Sequence, residues 1–157
     1  MMDRYVAVCG PSVATEQEAA WAEEVGRRLA EAGAVVVCGG LGGVMDAAAR
    51  GAAGVGGTVI GILPGETRSG ASPHLTVAIP TGMGEARNAL IARSADAVIA
   101  IGGEWGTLSE IALARKMGKP VVGLATWELA KEAAPIEDVA RAGTPDDAVA
   151  LALKTLG

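Results

Sequence analysis

The chain has 157 residues, 50% of them hydrophobic, and its 18 acidic and 13 basic side chains give a net charge of −5. A chain of this length can bury one core without disulfides or a metal ion. The acidic balance has the wrong sign for a nucleic-acid surface, and no apolar run approaches the roughly 20 residues that span a bilayer. We therefore expect one domain over residues 1–157 that has neither nucleic acid nor a membrane as a partner.

The N-terminus runs straight into an apolar, strand-like segment, without the basic region, apolar stretch and cleavage site of a secretory signal. A cytoplasmic location is therefore expected. Cys9 and Cys38 each end an apolar run, where free cysteine behaves as a small buried hydrophobe. His74 is the only histidine and there is no CxxC pair, so we expect neither a metal site nor a Ser-His-Asp triad.

Short β-branched runs alternate with alanine-rich amphipathic stretches, a pattern typical of βαβ units around a parallel sheet. Strands are predicted over 5–9, 35–38, 58–63, 75–79, 97–101 and 120–124, with a short seventh extended piece at 136–140. The pattern predicts an α/β fold. We expect a single doubly wound, Rossmann-like domain with a mostly parallel sheet of six to seven strands.

The first helix is predicted to begin at Thr15, where the sequence TEQE has the form of a capping box, and to end before Gly33. Further helices fit 44–53, 85–95 and 107–117. A last helix starts at Thr144, which is followed by a first-turn proline and two acids that suit the helix dipole. The longest connection, 64–73, is rich in glycine and serine and is predicted to be a flexible loop that could cover a site.

Glycine-rich segments follow the first, second and fifth predicted strands. In open α/β sheets ligands bind beyond the carboxyl ends of the strands, where glycine permits close backbone approach and helix-start N–H groups attract anions. We interpret the segments as a nucleotide- or phosphate-binding crevice; the alternative is that the glycines only make tight turns. The predicted ligand-binding residues are Gly10, Ser12, Gly39, Gly40, Gly42, Gly43, Arg87, Gly102, Gly103, Gly106 and Thr107.

Neither common phosphate-binding motif is present. The GGLGG segment that begins at Gly39 lacks the spacing of the dinucleotide fingerprint and follows the second strand rather than the first. It also lacks the lysine of a P-loop. An ordinary dehydrogenase or P-loop enzyme is therefore a poor fit.

Arg87 and Glu110 are the candidate catalytic residues. Arg87 shares a helical stripe with Leu90 and Ile91 and is expected to point inward, where it needs an anion: a ligand phosphate or a protein carboxylate. Glu110 follows Thr107 by three residues. It either closes a capping box with Thr107 or faces the crevice as a carboxylate for general-base work or for stabilising a cationic, sugar-like transition state.

With these residues in place, nearly the whole chain resembles the Lonely Guy-like superfamily. It is closest to a small bacterial branch that is similar to molybdenum cofactor carrier proteins. The family motif PGGxGTxxE aligns without a gap on GGEWGTLSE at 102–110, which replaces its proline by Gly102 and its second glycine by Glu104. The family's arginine-lysine pair falls on Arg87 and Asn88, so the lysine is lost.

The resemblance implies a protein that binds a nucleotide or another phosphorylated cofactor, including the molybdenum cofactor. Its alternative implication is a nucleoside 5′-monophosphate phosphoribohydrolase that releases a free base. The altered motif favours binding over hydrolysis, since a carboxylate at Glu104 would repel a nearby phosphate. Lysine decarboxylation, an older label for the superfamily, has no support because nothing resembles a pyridoxal phosphate site. Because members of the superfamily associate, the resemblance also implies a homo-oligomer, and we expect a dimer.

Overall fold

A computed structural model describes residues 3–157 and shows an α/β fold. The strands are β1 (Tyr5–Cys9), β2 (Val35–Cys38), β3 (Val59–Leu63), β4 (Val77–Pro80), β5 (Ala97–Ile101), β6 (Val121–Leu124), β7 (Ala130–Lys131), β8 (Ala134–Pro135) and β9 (Val139–Ala142). The helices are α1 (Glu16–Glu31), α2 (Val44–Ala53), α3 (Asn88–Ser94), α4 (Trp105–Lys116) and α5 (Pro145–Lys154), with a 3-10 turn at Gly84–Arg87 before α3.

Seven of these strands form one sheet in the order β4-β3-β2-β1-β5-β6-β9, and every pairing in it is parallel. The chain moves from β1 outward to β4 and then returns to the other side of β1 as β5. This reversal is the topological switch point of a doubly wound sheet. The predicted fold class is therefore confirmed, with seven parallel strands in the sheet.

Helices cover both faces of the sheet. One core lies under α1, α2 and α5, and the other lies under α3 and α4. Because both faces are buried, the central strands β1, β2 and β5 are almost uniformly apolar rather than alternating. Cys9 and Cys38 are buried in these cores as free thiols, as predicted.

Two of the predicted helix starts, those of α1 and α5, are confirmed. The Thr15 hydroxyl accepts a hydrogen bond from the Glu18 amide at 3.1 Å, and the Glu18 carboxylate accepts one from the Thr15 amide at 3.2 Å. At α5 the Thr144 hydroxyl caps the Asp147 amide, and Pro145 occupies the first turn. Each cap satisfies amides that the helix itself cannot pair.

Several boundaries differ from prediction. The fourth strand starts at Val77 rather than at 75, because the Val59 amide donates to the Thr76 hydroxyl at 2.9 Å instead of to a backbone carbonyl. The seventh strand of the sheet is Val139–Ala142, later than predicted, and β7 pairs with β8 in a separate antiparallel hairpin that the sequence did not signal. The segment predicted as one helix over 85–95 opens with the 3-10 turn.

The long loop at 64–73 is anchored to the fold. The Ser72 hydroxyl donates to the Asp46 carboxylate on α2 at 2.6 Å, and its amide donates to the Gly40 carbonyl at 2.8 Å. Earlier in the loop, Arg68 Nε donates to the Ala78 carbonyl at 3.0 Å. These contacts fix the loop beside β4 and α2.

Two glycines let α1 and α2 pack in direct backbone contact. A Cβ at Gly26 would lie 2.0 Å from the Ala48 carbonyl oxygen, and one at Gly51 would lie 1.9 Å from the Glu23 carbonyl oxygen. Neither carbonyl can move without displacing its helix. The crossing of α1 over α2 therefore depends on the absence of side chains at these two positions.

We expect Gly26→Ala to lower the free energy of unfolding by about 1–3 kcal/mol, because overpacking outweighs the better helix propensity of alanine. The matched control is Gly106→Ala, another helical glycine, whose added Cβ meets nothing within 4 Å. This control should leave stability unchanged or slightly raised. Urea unfolding of both variants checks the prediction, and equal effects at the two sites would contradict it.

Candidate functional site

A cleft of about 450 Å³ opens at the carboxyl edge of the sheet, beyond the ends of β1, β2, β3 and β5. Its walls come from the loop after β1, the 3-10 turn with the start of α3, and the start of α4. The position is the switch point where open α/β sheets bind ligands, and the volume suits a small molecule. The cleft is therefore the candidate functional site.

Six of the predicted site residues line this cleft directly. They are Gly10, Ser12, Arg87, Gly106, Thr107 and Glu110. The others lie in the loops that flank the cleft at the same sheet edge. These are Gly39, Gly40, Gly42, Gly43, Gly102 and Gly103.

The loop after β2 packs against its neighbours. A Cβ at Gly43 would lie 2.2 Å from the Pro11 carbonyl oxygen, and one at Gly40 would lie 2.5 Å from the Leu63 side chain. Gly39 makes room for Arg87, since an added Cβ would lie 2.7 Å from Nη2 of that arginine. These glycines serve the packing that holds the cleft walls together.

Arg87 is buried, with 9% of its surface exposed, and its guanidinium ties together two strand ends. Nε donates to the Ile62 carbonyl of β3 at 2.9 Å, and Nη2 lies 3.4 Å from the Gly39 carbonyl after β2. Within residues 3–157, no carboxylate forms an ion pair with this arginine. The five N–H donors of a guanidinium exceed these partners, so donor capacity remains at the cleft.

Asn88 orients this guanidinium. It is buried at the start of α3, and its side-chain oxygen accepts a hydrogen bond from Arg87 Nη1. A lysine ammonium, which is the family's residue here, has no acceptor and would repel the arginine. Asparagine at position 88 is therefore a direct hydrogen-bond partner of Arg87, which lysine could not be.

The segment that aligns with the family motif has a left-handed backbone conformation at its first residue, Gly102. Gly102 adopts a φ of +59°, a conformation closed to the proline that the family motif carries at this position. A side chain there would also strike Glu18 of the α1 capping box, whose carboxylate oxygen lies 2.1 Å from the place of a Cβ. The turn into α4 therefore favours glycine at position 102.

The start of α4 faces the cleft without a side-chain cap. The helix begins at Trp105 with Glu104 as its N-cap residue, two residues before the predicted start. Thr107 therefore lies inside the helix, so of the two alternatives for Glu110 the capping box is excluded, and Glu110 lines the cleft. Because Glu104 is exposed, its carboxylate can remain in water, while the first amides of α4 are available to an anion.

Glu110 is buried at the cleft, with 8% of its surface exposed. Burial raises the pKa of its carboxyl from 4.5 to about 7, and the neighbouring Cys9 thiol and the positive charge of Arg87 oppose that rise. Burial, together with the charge of Glu110, also raises the pKa of the Cys9 thiol well above its ordinary value. Glu110 can therefore exchange a proton near neutral pH, as a general acid or base must.

The raised pKa of Glu110 gives a pH dependence with a definite sign. Between pH 4.5 and 7 the folded protein binds a proton at Glu110 that the unfolded chain has lost, so stability falls as the pH rises. The total loss is up to about 3 kcal/mol. Glu110→Gln should remove this slope and should be more stable than the wild type at pH 8.

Urea unfolding of both proteins at pH 5 and pH 8 checks this expectation. Glu85→Gln, which removes an exposed carboxylate from the same cleft, is the matched control and should keep the wild-type slope. An unchanged slope in Glu110→Gln would show that this carboxyl is ionised throughout the range.

Sequence reasoning missed several residues of the cleft, above all Trp105. Its side chain is 73% exposed and lines the cleft beside Gly106. Glu85, Asn88 and Ser109 also lie in the lining. The available signal for Trp105 was its place inside the glycine-rich motif of a chain that has only four aromatic residues, three Trp and one Tyr.

The part of the chain that the structure describes contains no helix long and apolar enough to cross a bilayer.

Comparison with solved structures gives close matches over the whole chain. The molybdenum cofactor binding protein from Rippkaea orientalis has a TM-score of 0.93 and 36% identity, covering 100% of this chain and 99% of that one. The molybdenum cofactor carrier protein from Chlamydomonas reinhardtii has a TM-score of 0.87 and 33% identity, covering 99% of each chain.

An uncharacterised protein from Archaeoglobus fulgidus is 42% identical over 144 residues, which cover 92% of this chain and 91% of that protein. A model of the SLOG cluster4 family matches residues 3–149. The match covers the sheet from β1 to β9 and all cleft residues named above. The chain therefore belongs to the SLOG cluster4 family, which confirms its resemblance to the Lonely Guy-like proteins.

Proposed function

We propose that the cleft binds a phosphorylated heterocyclic cofactor or nucleotide, and that the molybdenum cofactor is the first candidate. The observation that carries the proposal is the buried Arg87, which forms no ion pair within residues 3–157 and lines the same cleft as the uncapped start of α4. Similarity to a molybdenum cofactor binding protein and to a molybdenum cofactor carrier protein supports the choice of candidate. The role of the chain would then be to hold and protect its ligand.

The anionic end of such a ligand has two sources of donors. Arg87 offers guanidinium N–H groups in a fixed fork that suits phosphate oxygens. The first turn of α4 offers backbone N–H groups and the positive end of a helix dipole, and the open backbone at Gly106 permits close approach. The Arg87 guanidinium, whose hydrogen-bond partners are neutral, and the unpaired amides at the start of α4 are both groups that bind phosphate.

The remaining polar lining fits the ring of the ligand. Glu85, Ser109 and Glu110 supply oxygen acceptors. A pterin, like guanine, presents an amino group and a ring N–H on one edge, and carboxylate oxygens accept from both. The residues present therefore fit a phosphorylated pterin, which in the molybdenum cofactor carries the metal and its redox chemistry. In this chain, Arg87 would hold its phosphate and Glu110 or Glu85 would accept from its ring.

A second candidate function is hydrolysis of a nucleoside 5′-monophosphate. The observation that favours it is Glu110, a buried carboxyl in the cleft with a pKa of about 7. Such a group could orient water or stabilise positive charge on the sugar. Release of free base from AMP or GMP, followed by chromatography, tests this function. Loss of release in folded Glu110→Gln is the expected result if the chain is an enzyme.

Native mass spectrometry of freshly purified protein tests the proposed function directly. A retained phosphorylated heterocycle, with a mass that survives exchange into volatile buffer, is the expected result. If the protein is isolated empty, a thermal shift panel of nucleotides and phosphorylated pterins follows, because a ligand that binds only the folded state raises its melting temperature. Absence of both signals would contradict the proposal.

Arg87→Lys should weaken binding of a phosphorylated ligand by at least about tenfold, because lysine keeps the charge but loses the planar fork. Arg87→Ala should weaken it further, and more than Glu110→Gln does. Arg68→Lys is the matched control, since its Nε also donates to a strand carbonyl but lies exposed outside the cleft. Calorimetric titration of folded variants checks this order. Unchanged affinity in Arg87→Lys and Arg87→Ala would place the anion elsewhere.

We also propose that the chain forms a homodimer. Val77 and Ile79 lie two residues apart on the edge strand β4 and are 44% and 42% exposed, which leaves an apolar strip at an open sheet edge. Light scattering at micromolar concentration should give about twice the chain mass of 15.6 kDa. Val77→Lys should shift that mass toward the monomer, and a monomeric wild type would overturn the proposal.

A further inference from the structure

Trp105 is the most exposed large aromatic side chain in the described residues, at 73%. The chain has three tryptophans, one tyrosine and no phenylalanine, and Trp21 and Trp127 are both half-buried. An aromatic surface of this size in water forgoes the free energy that burial supplies. Its exposure at the mouth of the cleft therefore calls for a binding partner.

The position of Trp105 is fixed from one side. Its ring contacts that of Trp127 in a tilted arrangement, with centroids 5.0 Å apart and planes at 40°. Trp127 follows β6, and its indole N–H donates to the Glu104 carbonyl at 3.2 Å. The same backbone that carries Trp105 is thus hydrogen-bonded to its aromatic neighbour, which limits where the exposed ring can go.

Chain order places Trp105 next to the proposed phosphate site. It is the first residue of α4, and Gly106, with its open backbone, comes directly after it. A ligand whose phosphate meets the first turn of α4 would therefore carry its ring within reach of the indole. Stacking on an aromatic side chain is tolerant of ring type, because every heterocyclic base has a π-face.

We propose that Trp105 is the stacking surface for the heterocyclic ring of the ligand and that Trp127 positions it. This inference rests on the proposed function of the cleft and adds a selectivity to it. Phosphorylated ligands that carry a planar heterocyclic ring should bind more tightly than sugar phosphates without such a ring. Arg87 acts on the phosphate that both ligand types share. Trp105 acts only on the ring.

Two probes separate these contributions: GMP, which has the amino-substituted ring edge of a pterin, and ribose 5-phosphate, which has no ring of that kind. Calorimetric titration should show that Trp105→Leu weakens GMP binding at least about fivefold, the lower range for loss of one stacked base. Its affinity for ribose 5-phosphate should stay unchanged. Trp105→Phe should restore most of the GMP affinity.

Trp127→Leu should also weaken the binding of GMP but not that of ribose 5-phosphate. Trp127→Phe keeps an aromatic contact with Trp105 and should bind GMP with nearly the wild-type affinity. A general loss of structure would instead weaken the binding of both probes. Tryptophan emission gives an independent readout: GMP should quench the wild type, and Trp105→Phe should bind GMP with much of that quenching lost. Trp21→Phe, a replacement on α1 outside the cleft, should quench as the wild type does.

The outcomes distinguish this inference from the function on which it rests. Binding of GMP by the wild type with equal affinity in Trp105→Leu overturns the stacking role and leaves the phosphate site intact. An equal loss for both probes in folded Trp105→Leu also overturns it. If the wild type binds neither probe nor any phosphorylated pterin, the proposed function fails and the stacking role fails with it.

Discussion

The parallel pairing of β1 with β2 on one side and with β5 on the other determines where everything else in the site can lie. Because crossover connections between parallel strands are right-handed, the chain builds α1 and α2 over one face and α3 and α4 over the other. The loops after β1, β2 and β5 then meet at one edge, as their carboxyl ends must. The cleft is a direct result of this topology, and its residues come from segments up to about a hundred positions apart.

Charge in the cleft is unevenly distributed. Arg87 is the one basic residue of the lining, against the carboxyls of Glu85, Glu104 and Glu110. Exposure of Glu85 and Glu104 to water screens their charge, and burial favours the neutral form of Glu110. The arginine thus keeps its attraction for an anion in a protein whose overall charge is −5.

Sequence reasoning recovered the features that depend on local pattern. Apolar runs gave the central strands, and the capping residues at Thr15 and Thr144 gave two helix starts. It misplaced the start of α4, because Thr107 followed by Glu110 has a capping pattern that burial of both side chains overrides. The partners of Arg87 could not be predicted, since Ile62 and Gly39 contribute carbonyls, which any residue type would supply. Trp105 was missed for a related reason: aromatic exposure is visible only in the folded chain.

The conformation of Gly102 couples two parts of the chain that lie far apart in the sequence. Proline cannot adopt a φ of +59°, and a side chain at this position would displace the Glu18 carboxylate that caps α1. A single substitution of Gly102 by proline would therefore disturb two structural elements at once, and the turn into α4 and the start of α1 would have to change together. Positions 18 and 102 are thus coupled although they lie far apart in the sequence, and a side chain at 102 requires a change at Glu18 as well.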